Sequence, residues 1–185
     1  MRRCYILCIA LACVFAPGVL HAQKEKREPL TGPEIEQIRE AGIDPMARVK
    51  LYTKFIDEHA DTLKGLANRL KNAARASRID GELQDFTALM DELGSNLDTY
   101  TDRHADIRKA LKALNDATPK WLTMLRGLPG EQGFDLSRKE AIESGEDLAD
   151  QAKRLLAEQT EYFNLHKDEA GQDRAEPQLK KPNPN

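Results

Sequence analysis

Five side chains in this sequence have the types and spacing to do chemistry together: Tyr52, His59, Tyr100, His104 and His166. The first four fall on apolar helical seams and His166 lies nearby, and a polar group inside such a seam must find a partner. If the chain folds back at Asp80, position 59 comes level with position 100. His59 and Tyr100 are then neighbours, with His104 one turn further along. A last helix brings His166 to nearly the same level if the helix before it runs straight to Leu128. Three imidazoles converging in a bundle core would make a zinc or copper site, so a metal-binding helical bundle is one function class that the sequence allows. The structural alternative is favoured: a histidine bonded to a tyrosine hydroxyl satisfies both groups and fixes register without a ligand. If Pro119 ends the central helix, His166 leaves the cluster altogether.

Other chemistry finds little support. No serine sits in a nucleophile elbow, and the glycines from Gly127 to Gly133 lack both a preceding strand and the Lys-Ser/Thr ending of a phosphate loop. Asp91-Glu92 and Glu146-Asp147 are adjacent pairs on solvated faces, and no Glu-x-x-His pair suggests a di-iron centre. The expectation is a protein that is not an enzyme and holds no cofactor.

The elements that would position these residues are helices. Leu83, Phe86, Met90, Leu93, Leu97, Tyr100, His104, Ile107, Leu111, Leu114, Thr118, Trp121, Leu125 and Leu128 follow at spacings of three and four, a heptad seam that must be buried against partner helices. Val49, Tyr52, Ile56, His59, Leu63, Leu66, Leu70 and Ala73 keep the same spacing and predict a second helix from Pro45 to about Ser77. Ile79-Asp80-Gly81 reads as the turn between the two. Lys64, Arg69, Lys71, Arg75 and Arg78 would then lie beside Glu82, Asp85, Asp91, Glu92, Asp98 and Asp102, as an antiparallel hairpin needs.

Shorter signals complete the layout. Thr31 and Glu34 form a capping box for a short helix stopped by Gly42, and Asp44-Pro45 caps the next one. Thr118-Pro119 ends the seam helix near Asp116 and starts a short helix to about Arg126. Ser137 and Glu140 form a second capping box for a last helix that frays near Asp168. The expected fold is all-α: a long antiparallel three-helix bundle, coiled-coil-like, over residues 30–168, with a short N-terminal helix and a disordered tail at 169–185.

The first residues carry an address. Arg2 and Arg3, the apolar run Tyr5 to Phe15, and Leu20 and Ala22 before a cleavage point compose a signal peptide over 1–22, followed by a flexible leader at 23–29. Ala10-Leu11-Ala12-Cys13 is a loose lipobox, the rival reading of the same segment. Cleavage removes Cys4, Cys8 and Cys13, leaving no thiol for a disulfide or a metal. It also removes Arg2 and Arg3, taking the net charge from -3 to -5, an acidity that argues against nucleic acid. No membrane span remains after cleavage.

The function expected is that of an exported protein, periplasmic or extracellular, acting through contacts with an unknown protein partner or by self-association. The alternative classes are a periplasmic chaperone-like stress protein and the metal-binding bundle. Trp121, Met124 and Leu128 are the expected interaction surface, if the aromatic ring is partly exposed at the bundle end.

Overall fold

The computed structural model describes residues 28–171, and every regular element among them is an α-helix. The segment expected as signal peptide, most of that expected as leader and most of that expected as tail lie outside the described residues. α1 (Gly32–Glu40) starts where the sequence places it. The backbone N–H and hydroxyl of Thr31 both donate to the Glu34 carboxylate, at 2.6 and 2.7 Å. Gly42 ends the segment in the left-handed region at φ +59°, where a side chain would be strained. Asp44 then caps α2 (Pro45–Ala67), its carboxylate accepting from the N–H groups of Met46 and Ala47 at 2.9 and 3.1 Å.

The hairpin turn is not at Asp80. α2 ends at Ala67, residues 68–72 make the connection, and α3 (Ala73–Asp102) passes through Ile79-Asp80-Gly81 without a break. Asn72 is the cap, its side chain accepting from Arg75 N–H at 2.8 Å. Asp80 is occupied elsewhere, accepting from Ser137 on the last helix at 2.6 Å and from Gln84 at 2.9 Å. A turn-forming pair is overruled when its polar side chain finds a tertiary partner and its glycine is tolerated mid-helix at about 1 kcal/mol. The expected hairpin ion pairs change accordingly. Arg75 and Arg78 now share a helix with the acids they were to face, and the α2–α3 contacts are His59 with Glu82, Tyr52 with Glu92 and Arg48 with Tyr100.

The seam is also broken at a different place. α3 stops at Asp102, and α4 (Arg108–Gly127) contains Pro119 in its interior. The break has the geometry of a Schellman cap: Ala105 N–H donates to Tyr100 O at 3.0 Å and His104 N–H to Thr101 O at 2.9 Å. His104 holds the left-handed position at φ +54°, where glycine is usual. Gln159, reaching across from the last helix, accepts from Ile107 N–H and donates to Ala105 O, both at 3.1 Å. Pro119 is carried through because Leu111, Leu114, Thr118, Trp121 and Leu125 form one buried stripe on both sides of it, outweighing the loss of about 3 kcal/mol that an interior proline brings.

α5 (Asp135–Leu165) begins two residues before Ser137, which is buried inside the helix rather than capping it. Four long helices therefore stand where three were expected. Each packs on two neighbours, in the cyclic order α2, α3, α5, α4, with α1 laid against α2. Side-chain pairs give the directions. Sums of residue numbers stay nearly constant across α2–α3 and α4–α5, which are antiparallel, whereas Asp80–Ser137, Asp91–Ser144 and Asp98–Gln151 keep nearly constant offsets, so α3 and α5 are parallel. The 103–107 connection therefore crosses a diagonal of the ring. Phe86 and Trp121 meet across that diagonal in the core, edge to face at 6.2 Å.

Candidate functional site

The residues singled out for chemistry do not converge on one point. Tyr52 donates to Glu92 at 2.6 Å, and burial together with this carboxylate pushes its phenol well above the usual range. Tyr100 accepts from Arg48 Nε at 3.0 Å. His59 binds Glu82 through Nδ1 at 2.7 Å, away from Tyr100. The two became neighbours in the sequence layout only because the turn was placed at Asp80.

His59 carries a pH dependence. Burial disfavours the charged imidazole, but the hydrogen bond and charge of Glu82, with Asp85 and Glu34 nearby, outweigh it and hold the pKa above its ordinary 6.5. A folded value above the unfolded one stabilises the fold fully below the unfolded pKa, and this contribution is lost as pH rises through the folded value. We expect the urea midpoint to fall as pH rises above about 6.5, and to fall less in His59→Gln. An equal fall in both proteins would show that the pair does not carry the dependence.

His104 and His166 do come together, around a tyrosine. Both imidazoles stack on Tyr162, at 4.6 and 4.2 Å between centroids. Tyr162 donates to Glu169 at 2.7 Å, and His166 Nδ1 lies 2.9 Å from Tyr162 O. Beside this stack Arg108 lies over Phe163 and grips Asp106 at 2.8 and 2.7 Å, which holds that carboxyl below its usual range. Among the described residues no group of three or more His, Cys, Asp or Glu side chains is arranged to hold a metal ion.

The left-handed His104 makes a prediction of its own. Alanine there keeps the backbone strain and loses the stack, so His104→Ala should destabilise by about 1 kcal/mol. Glycine also loses the stack but relieves the strain, so His104→Gly should be more stable than His104→Ala by about 1 kcal/mol. Thermal unfolding of the two variants orders them; an alanine variant more stable than the glycine one would contradict the assigned cap geometry.

The expected interaction surface is not a surface. Trp121 is buried, donating from Nε1 to Asp57 at 2.6 Å, Leu128 is buried, and Met124 packs on the core. The continuous α4 explains the difference: without a break at Pro119, Trp121 faces the middle of the ring rather than its end.

A site the sequence layout missed lies along α4 and α5. An open groove of about 620 Å³ is lined by Asn115 of α4 and by Lys153, Leu156, Ala157, Thr160 and Leu165 among others of α5. Leu165 is 77% exposed. Asn115 Oδ1 is enclosed and has no hydrogen-bond partner among the described residues. One signal was available: Leu165 stands two residues from buried Phe163, about 200° around the helix from the inward stripe. No described helix is long and apolar enough to cross a membrane. No family model matches the chain, and neither a curated protein nor a solved structure matches it.

Proposed function

We propose that the chain is an exported protein that acts through protein–protein contacts made by the α4/α5 groove. The observation that carries this reading is the groove: an open strip whose α5 side carries exposed Leu165 and Ala157 among polar side chains. A single exposed leucine would mean little, but here it continues a strip in which apolar and polar side chains are interspersed along α5, the composition of a protein contact. Contact rather than catalysis is supported by the pairing of the enclosed ionisable groups, since His59–Glu82, Tyr52–Glu92 and Arg75–Glu131 each close on themselves. Export is supported by the signal pattern of residues 1–22.

The test places a photo-cross-linking residue at Asn164 in the groove and, in a second protein, at Gln132 on the far end of the bundle, both in living cells. Adducts from position 164 and none from 132, on a chain whose first residue is Gln23, are the expected result. Equal labelling at both positions, or none, would remove the contact role, and a retained Met1 would remove export.

A further inference from the structure

The geometry points to a second copy of this chain as the occupant of the groove, docked through α5 in antiparallel orientation about Ala157. This rests on the contact role proposed for the groove and names its partner. Lys153, Ala157, Glu161 and Asn164 recur at spacings of three and four, so they share one outer stripe of α5, and all four line the groove. Ala157, exposed at the middle of this stripe, lets a second helix approach closely.

Charge decides the orientation. Lys153 and Arg154 stand one turn before Ala157, and Glu161 stands one turn after it. A two-fold axis at Ala157 sets the cations of each copy level with Glu161 of the other, and does so twice, as an isologous interface requires. A parallel arrangement would set like charge against like along the whole stripe.

These charges are available for exchange. Lys153 reaches Asp150 at 3.4 Å and Arg154 reaches Glu158 at 3.5 Å, all four side chains being more than half exposed. Such pairs within one helix contribute only a few tenths of a kcal/mol, roughly. Glu161 makes no ion pair among the described residues.

The experiment is light scattering behind a sizing column on the purified full chain, over a concentration series. The wild type should pass from monomer to dimer mass as concentration rises. Glu161→Arg, and separately the double variant Lys153→Glu with Arg154→Glu, should stay monomeric where the wild type is dimeric. An equimolar mixture of the two variants should return to dimer mass, because one stripe is then wholly basic and the other wholly acidic. Circular dichroism of each variant checks that the helices are intact; the substituted residues are exposed, and full helicity is expected. A wild type that stays monomeric overturns the inference, as do a dimer that the variants leave untouched and a mixture that fails to associate. If position 164 still cross-links to a different protein while the wild type is monomeric, the second copy is removed as occupant and the contact role of the groove stands.

Discussion

Replacing Arg75 with methionine should lower the unfolding free energy by about 3 kcal/mol, measured by urea denaturation. Arg75 is buried and serves three connections at once. Its Nε donates to Leu66 O at 3.0 Å, which also accepts from Arg69 N–H at 3.1 Å, and one Nη donates to Ala67 O at 3.2 Å, so the guanidinium closes the end of α2. The other Nη donates to both oxygens of Glu131 at 3.1 and 2.9 Å, tying the α4–α5 connection to the α2–α3 turn. Methionine keeps the aliphatic length and removes every donor, so the loss measures the polar work of the side chain. Lysine should recover only part of the stability, because an ammonium cannot fork to two carbonyls and a carboxylate together. Glu131 adds an acid limb. Burial works against its charge, but Arg75 and Lys71 outweigh this and hold its pKa below the usual range. A depressed folded value stabilises above the unfolded pKa, and that contribution is lost as pH falls through the folded one. If Arg75→Met unfolded at the wild-type midpoint, the guanidinium would be a bystander at this end of the bundle.

Phe86→Ala should be the most damaging core truncation, at about 4 kcal/mol. Phe86 has no exposed surface and meets Trp121 across the diagonal of the ring, edge to face at 6.2 Å. The cavity left by alanine lies among side chains fixed by their own helices and cannot easily collapse. Phe86→Leu keeps most of the volume and should cost about 1 kcal/mol. Trp121 is the only tryptophan in the chain, so its emission reports this layer directly. A red shift in the folded Phe86→Ala protein is expected as water gains access to the ring. An unshifted spectrum with an unchanged midpoint would place Phe86 outside the core.

The heptad seam was legible in the sequence because burial leaves a period, and twelve named positions of it can be checked one by one. Leu83, Phe86, Met90, Leu93, Leu97 and Tyr100 are buried on α3, Ile107 is buried at the start of α4, and Leu111, Leu114, Thr118, Trp121 and Leu125 are buried on α4, whereas His104, the seam position at the break, is exposed. The capping signals at Thr31, Asp44 and Gly42 were legible for the same local reason. The chain reversals were not. The turn at 68–72 has no glycine or proline, while Asp80-Gly81, which looks like a turn, is held in helix by Ser137. The break at 103–107 depends on Gln159, fifty-two residues from Ile107 in sequence, and on a histidine in a position that glycine usually announces. Moving the two breaks turns three helices into four. That displaces His59 from Tyr100, draws His104 to Tyr162, buries Trp121 and leaves the outer stripe of α5 uncovered. The groove was therefore invisible until the ring order was known, although the phase of Leu165 hinted at it.

Which face of α5 is free depends on α3 and α5 lying side by side and parallel, and that arrangement can be measured directly. Cysteines at Asp91 and Ser144, whose side chains touch at 2.6 Å, would be introduced into a chain with Cys4, Cys8 and Cys13 changed to serine. A second protein would pair Asp98 with a cysteine at Gln151, which it meets at 2.7 Å, and a third would pair Asp98 with one at Lys139. With the shortest bismaleimide, the 91/144 and 98/151 proteins should cross-link within one chain nearly completely, and the 98/139 protein should not. Efficient linkage of 98 to 139 with none to 151 would mean that α5 runs the other way beside α3, and the ring order and the free α5 face would both be wrong.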